Sequence, residues 1–215
     1  MLKTVYHFTT LSSAENIVKN ENLRVSRING LNDPFELLSE NVGNKKFRLS
    51  MKEKKRNINE SHGIISFSNS WKHPVQWAHY ADKHKGVCLV FSVDKSLLTD
   101  VCYHPERLLE SSNPNPLDAL KYKYKAWEYE DETRLIIGLE DKILTRIDNH
   151  FLIPFHNKLK LNGIIFGACT TEKNEVDFYQ KIISNCDLKI SKVRPAFKSF
   201  SMTNKNDWSI EKLIT

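Results

Sequence analysis

The chain has 215 residues, 40% of them hydrophobic and 27% charged, a globular composition that excludes a disordered or low-complexity protein. Its uncharged apolar runs, such as residues 64–70 and 163–169, are too short for a membrane-spanning helix. The opening Met1-Leu2-Lys3-Thr4-Val5-Tyr6 reads as a strand rather than a secretion leader, so a cytoplasmic protein is expected. The formal charge of +6 is distributed as +4 over residues 1–62, −2 over 63–180 and +4 over 181–215, which points the two ends toward a polyanionic partner.

In chain order, residues 2–8 read as a strand. A helix then opens at Leu11, with Ser12 and Glu15 in capping-box register and Leu11, Ala14, Ile17 and Val18 on one face. Residues 23–26 form a short strand, and Asn29-Gly30 and Asn32-Asp33-Pro34 are turn signals. A polar helix is expected over much of 34–58. It contains the densest basic run, Lys45 to Arg56, where Glu53 is the one acidic residue, and which by charge alone reads as a solvated helix face.

Residues 63–68 are a strand, and Pro74 starts a helix through Asp82, since Pro suits a first helical turn. Residues 86–92 form a buried strand, 95–120 mostly short helix and loop, and 132–139, 162–167 and 188–193 further strands. Thr171 caps a helix with Glu172 and Glu175 in its first turn, where carboxylates meet the positive end of the helix dipole. About seven strands and four or five helices, not in strict alternation, predict an α+β fold in a single domain. The four cysteines, Cys88, Cys102, Cys169 and Cys186, have no zinc-ribbon or redox spacing and read as reduced, mostly buried thiols.

The chain has no Gly-x-Gly-x-x-Gly, P-loop or Gly-x-Ser-x-Gly sequence. His73, His79 and His84 lack the spacing of a metal site, so no metal is expected. Three constellations could carry chemistry. In Tyr6-His7-Phe8-Thr9, alternation places His7 and Thr9 on one face of a strand, where they could bond a ribose or an amide, or simply edge a core. Ser66-Phe67-Ser68 is followed by Trp71, Trp77, His79 and Tyr80. Trp77 and Tyr80 share a helix face, which suits a slot for a planar ring or plain core packing. In residues 127–137, read as a strand, Glu128, Glu130, Glu132 and Arg134 project to one side. Three carboxylates in a row repel, so one with a raised pKa or a cationic partner is expected. A carboxylate at a strand's start can accept a sugar hydroxyl's hydrogen bond and stabilise positive charge at the anomeric carbon. It can equally sit on a solvated acidic edge with Arg134 as counterion.

Together these segments resemble the bacterial domain-of-unknown-function family 2971, whose members recur in abortive-infection and phage-defence settings. The matching residues are Tyr6-His7-Phe8-Thr9, Leu23-Arg24-Val25-Ser26, Asn32-Asp33-Pro34-Phe35-Glu36 and Ile65-Ser66-Phe67-Ser68. They continue with Trp77-Ala78-His79-Tyr80-Ala81-Asp82, Lys85-Gly86-Val87-Cys88, Trp127-x-Tyr129-Glu130-x-Glu132-x-Arg134-Leu135-Ile136 and Gly163-Ile164-Ile165-Phe166-Gly167. Their order is the family's, over about residues 5–170.

The order His-x-Thr on a first strand, an aromatic after a central strand and Glu opening a later one is also similar to ADP-ribosyltransferases of the His-Tyr-Glu type. That resemblance implies a split, mostly antiparallel two-sheet core with peripheral helices over residues 1–194 and a C-terminal tail, 195–215, packing on it or extending from it. It implies NAD as substrate, bound without a Rossmann turn. His7 and Thr9 would serve the ribose, Tyr80 would stack on nicotinamide with Trp77 beside or beneath it, and Ser66, Phe67 and Ser68 would line the nicotinamide pocket. Glu132 would be the catalytic carboxylate, with Glu130 competing for that place. Arg24 could meet the pyrophosphate, and Asn32 shares the family's pattern. The expected activity is ADP-ribosyl transfer by a toxin or anti-phage effector onto RNA or DNA, with a protein acceptor second and room for an antitoxin or regulatory partner. Two other readings stand beside it: a non-catalytic module binding NAD or nucleic acid, and a metal-dependent nuclease built on Glu128, Glu130 and Glu132.

Overall fold

The computed structural model describes residues 1–37, 43–107, 116–182 and 188–214. In chain order the elements are β1 (Leu2–Thr9), α1 (Leu11–Asn20), β2 (Asn22–Arg27), α2 (Lys45–Ser61), β3 (His62–Ser68), α3 (Pro74–Tyr80), β4 (Val87–Asp94), β5 (Leu98–Asp100), β6 (Cys102–His104), β7 (Tyr122–Tyr124), β8 (Glu132–Gly138), β9 (Thr145–Ile147), β10 (His150–Pro154), β11 (Leu159–Phe166), α4 (Glu172–Ile182), β12 (Lys189–Pro195), β13 (Met202–Asn204) and α5 (Glu211–Ile214). The class is α+β with mostly antiparallel pairing, as expected. The chain divides into two compact units. The first comprises Met1–Asn22, Phe67–Ser96 and Phe155–Thr215, and the second Leu23–Ser66 and Leu97–Pro154.

In the first unit the strand order is β13-β12-β11-β4-β1, followed by the end of β3 beside β1, where Tyr6 pairs with Ser68. β1 and β4 run antiparallel along their whole length, from Leu2 opposite Asp94 to Thr9 opposite Val87. β11 and β12 are the parallel pair, joined through α4. Alternation divides the sheet's side chains between two faces. Tyr6, Phe8, Cys88, Val90 and Ile165 pack with Trp71 and with Trp77 and Ala81 around α3, together with Val193 and Met202. The other set holds an aromatic ladder in which Phe67 meets His7 and Phe91 edge-on, and Phe91 meets Phe155. Helix α1 buries Ala14 and Val18, as its periodicity requires, but its cap is Thr10, whose hydroxyl accepts from the Ser13 N–H at 3.2 Å. The capping register therefore falls two residues before the Ser12-to-Glu15 one, and Glu15 is taken up by Lys19 and Lys181.

In the second unit, β2 pairs with β3, β3 with β8, and β8 with β5, while β10 lies between β2 and β9. β6 and β7 form a separate two-stranded parallel sheet. Ile28, Leu37, Ile58, Ile64, Ala119 and Leu120 make its core. Helix α2 begins later than expected, capped by Asn44, whose carboxamide oxygen accepts from the Lys46 and Phe47 N–H groups. It buries only Met51 and Ile58, so most of its basic run lies on an exposed face, as the charge pattern suggested. The region 95–120, expected to be helix and loop, also contributes the short strands β5 and β6. Three-residue strands carry too little periodicity to be read from sequence. The thiols are less buried than expected. Cys88 is in the core, and its burial raises its pKa, but Cys102 and Cys169 are exposed, while Cys186 lies outside the described residues.

Candidate functional site

The second unit holds a cluster of five charged side chains in its interior: Glu36, Lys123, Glu130, Glu132 and Arg134. Charged groups are this deeply buried only when paired, and here every member has partners. Glu132 opens β8 and is 5% exposed. Its carboxylate is held side-on by Arg134, with Nε to Oε1 at 2.9 Å and Nη2 to Oε2 at 2.9 Å. Alternation along β8 places Arg134 on the same face two residues on, which is why the pair can form within one strand. The guanidinium also grips Glu36 through Nη1 and Nη2, the latter at 3.1 Å, and donates to the Leu120 carbonyl at 2.8 Å. This uses the planar fork that arginine has and lysine lacks.

Lys123, the buried middle residue of β7, completes the cluster. Its ammonium bonds Glu130 and reaches Glu132 Oε2 at 3.2 Å, and it lies over the Trp127 ring at 5.1 Å from the centroid. The Tyr103 hydroxyl accepts from the Glu132 backbone N–H at 2.8 Å, and the Ser66 hydroxyl bonds the Glu132 carboxylate.

The electrostatics follow from these partners. Burial opposes the charge on Glu132, but Arg134 and Lys123 outweigh it and the Ser66 hydroxyl adds to them, so the carboxyl titrates below its ordinary value. Burial likewise opposes the charge on Lys123, and Glu132 and Glu130 more than restore it. Arg134 is raised the same way by Glu132 and Glu36. Burial, with Glu132 and Glu130 nearby, raises the Tyr103 phenol and keeps it neutral. By residue type the cluster sets three acidic side chains against two basic ones, a formal surplus of one negative charge, and the Lys55 ammonium adjoins it by donating to the Glu36 carbonyl at 2.8 Å.

Part of the acidic run is not a strand. Residues 125–130 form a short 3₁₀ segment, so alternation does not govern them. Glu128 is exposed and pairs with Lys125 at 3.6 Å, whereas Glu130 is buried on Lys123. Glu128, Glu130 and Glu132 therefore do not converge. Among the described residues no three His, Cys, Asp or Glu side chains are grouped to hold a metal ion. Arg24 is exposed on β2, and Asn32 is exposed in the turn before the buried Asp33. The Asp33 carboxylate accepts from the Phe35 N–H at 2.9 Å and its carbonyl from the Glu36 N–H, which sets Glu36 for Arg134.

The other expected site residues lie in the first unit, apart from Ser66 at the second unit's end of β3. His7 and Phe67 are cross-strand neighbours, with rings in edge contact at 6.0 Å. His7 points to the opposite sheet face from Trp77, which is fully buried against Phe8 and donates from its indole to the Trp71 carbonyl at 2.7 Å. Thr9 and Tyr80 are half-buried at the ends of β1 and α3. The Ser68 hydroxyl donates to the Ser70 carbonyl and accepts from the Gln76 carboxamide, tying β3 to α3.

After Tyr80 the chain takes three successive left-handed residues, Asp82, Lys83 and His84, which cost backbone strain in non-glycine residues. The turn is closed by the Gly86 N–H on the Ala81 carbonyl and fastened by the Gly167 N–H on the Gly86 carbonyl. A Cβ on Gly86 would stand 2.3 Å from the Thr9 carbonyl oxygen, and one on Gly167 2.1 Å from that of His84, so only glycine lets these backbones approach.

This turn lies within the stretch that a known family recognises. The family model described as protein of unknown function, DUF2971, matches residues 76–108, which run from α3 through the left-handed turn, β4, β5 and β6. The likeness to that family is thereby found over this segment. No curated protein and no solved structure matches the chain.

Sequence reasoning singled out Glu132 and named Arg134 as its counterion, but it missed Lys123 and Tyr103. The signal was present, because a run of clustered carboxylates demands cations. Lys123, in Tyr122-Lys123-Tyr124, is one such cation close in sequence to the run.

Proposed function

We propose that the chain is an NAD-dependent ADP-ribosyltransferase in which Glu132 is the carboxylate that serves the transfer, on a split two-sheet core of the ADP-ribosyltransferase type. The observation that supports this most is the state of Glu132. It opens a strand, is kept ionised by Arg134 and Lys123, bonds Ser66, and belongs to a buried cluster with one negative charge in excess. A preorganised negative charge of this kind stabilises positive charge growing at a sugar carbon. In the transfer, the bond from ribose C1′ to the nicotinamide nitrogen breaks and nicotinamide leaves with the electron pair. A lone pair on the acceptor then bonds C1′, and the acceptor's proton is lost to solvent. Glu132 would accept a hydrogen bond from the 2′-hydroxyl and stabilise the oxocarbenium-like state. The roles of His7, Thr9, Arg24, Asn32, Phe67, Ser68, Trp77 and Tyr80 toward NAD rest on the family resemblance. The defence setting of that family makes a toxin or anti-phage effector the fitting biological role, with nucleic acid or protein as acceptor.

A second reading has an observation of its own. Both oxygens of Glu132 are already engaged, and the residue is 5% exposed, which suits a structural keystone in a binding module that turns nothing over. One experiment separates the two. The protein is incubated with NAD and pooled RNA, single-stranded DNA or lysate, and products are weighed by mass spectrometry beside Glu132→Gln and Ser66→Ala, with melting curves for each. Transfer predicts an ADP-ribose adduct and free nicotinamide, lost in Glu132→Gln and reduced in the mildly perturbed Ser66→Ala. No adduct and no nicotinamide from a folded wild-type protein would favour the binding module.

A further inference from the structure

The first unit presents a feature that neither NAD nor the buried cluster uses. β12 and β13 form a hairpin at the end of the sheet, with Val193 opposite Asn204 and Pro195 opposite Met202. Its base is firmly seated. Val193 and Met202 belong to the core cluster around Trp77, and the Met202 N–H donates to the Lys72 carbonyl at 2.7 Å. Its tip, residues 196–201, is closed by the Ala196 N–H on the Ser201 carbonyl at 2.9 Å. On that anchored tip Phe197 is 89% exposed and Phe200 is fully exposed. Two large aromatics held out into water on a fastened hairpin are a cost that folding alone does not explain.

Their surroundings carry one sign of charge. The Arg194 guanidinium lies over the Phe197 ring at 4.0 Å from its centroid, Lys198 is exposed and follows Phe197 in sequence, and Lys72 flanks the hairpin base. Residues 188–206 contain five Lys or Arg and no Asp or Glu, and all but Lys192, which is buried on Glu175, are half-buried or exposed. An occupant must therefore bring both negative charge and flat apolar faces. Single-stranded nucleic acid brings both at regular intervals, with unpaired bases for the rings and phosphates for the cations. Duplex bases are stacked on one another and meet such rings only where a step is unstacked, at a cost of a few kcal/mol.

We propose that the β12–β13 hairpin tip, Arg194, Phe197, Lys198 and Phe200, is a stacking platform for single-stranded RNA or DNA. This does not depend on ADP-ribosyl transfer, and its test contains no NAD. Binding of a labelled 12-nucleotide single strand, the matching duplex, and vesicles of phosphatidylcholine with phosphatidylserine is measured for the whole chain. The variants are Phe197→Ala/Phe200→Ala and Arg194→Gln/Lys198→Gln, each with a melting curve. Phe197, Lys198 and Phe200 lie on the tip and Arg194 is half-buried on β12 beside it, opposite Thr203, so the fold should hold and the melting curves check that it does. The single strand should bind well above the duplex and the vesicles. The aromatic variant should lose roughly tenfold or more in affinity, since each base stacked on an aromatic contributes a factor of that order. The charge variant should bind more weakly and show a shallower dependence on salt. Wild-type affinity in the aromatic variant, equal affinity for duplex, or binding to vesicles in place of the single strand would each overturn the proposal.

Discussion

The two units each bury charge, and they do it differently. In the first, Glu175 at the start of α4 meets the Lys192 ammonium of β12. The Trp208 indole donates to its other oxygen at 2.9 Å, and Lys192 also donates to the Thr170 carbonyl at 2.8 Å. One carboxylate faces one ammonium, and each makes a further charge-assisted hydrogen bond to a neutral group that fastens α4, β12 and the C-terminal segment together. In the second unit, three carboxylates share two cations, so no exchange of partners makes the group neutral. A balanced pair can be explained as a clasp, since its charges cancel and its hydrogen bonds do the fastening. An unbalanced cluster costs more to bury than a clasp requires, and that excess is what the proposed chemistry would use.

The largest effect is expected at Arg134. Arg134→Met leaves Glu36 and Glu132 buried without their shared cation, and should cost about 3–5 kcal/mol in urea unfolding, enough to leave part of the population unfolded. A loss under about 1 kcal/mol would mean that water or a rearranged Lys123 replaces the guanidinium. Lys192→Met should cost nearly as much, because Glu175 is then stranded at zero exposure. Adding Glu175→Leu should recover most of that loss in the first unit. In the second unit no single exchange of a cation–carboxylate pair for apolar residues should do the same, and equal recovery in both units would erase the distinction.

The stability of the second unit depends on pH through the same cluster. The Glu132 carboxyl is depressed below its ordinary 4.5, so the stability it contributes is present above that value and lost as pH falls through the lower, folded value. Lys123 is raised above 10.5, so its contribution is complete below that value and lost as pH rises through the higher one. Glu132→Gln should therefore flatten the acid limb of a stability–pH curve and also weaken the alkaline limb, because the Glu132 charge is the largest that raises Lys123, leaving there the part that Glu130 supports. The smallest effect is expected at Glu130. Glu130→Gln can keep an acceptor for Lys123 while removing the surplus charge, and should stay within about 1 kcal/mol of wild type or stabilise. A loss as large as that of Arg134→Met would show that the surplus is compensated.

Much of the first unit could be read in advance. Strand β1, helix α1 with Ala14 and Val18 inward, the proline-started α3, β4 and the Thr171-led α4 all have periodicity or termini that act over a few residues. The second unit was harder to read. Its strands are short, its acidic run is partly 3₁₀, and its cluster joins Glu36, Lys123 and Arg134 across gaps of 87 and 11 residues. The expected site residues fared unevenly for the same reason. Alternation correctly separated His7 from Phe8. It could not show that Trp77 would settle on the Phe8 side, away from His7, because that depends on which sheet face α3 covers.

By itself the sequence determined the α+β class, the basic ends, the seam of Glu132 with Arg134 and the family-like segments, since composition, period and i,i+2 neighbours are local properties. The tertiary structure alone decided that Glu132 is clamped by Lys123 and Arg134, that Trp77 is core, and that Phe197 and Phe200 stand clear of any core. Burial and charge pairing are settled by groups far apart in the chain, and a local pattern carries no record of which of them will meet.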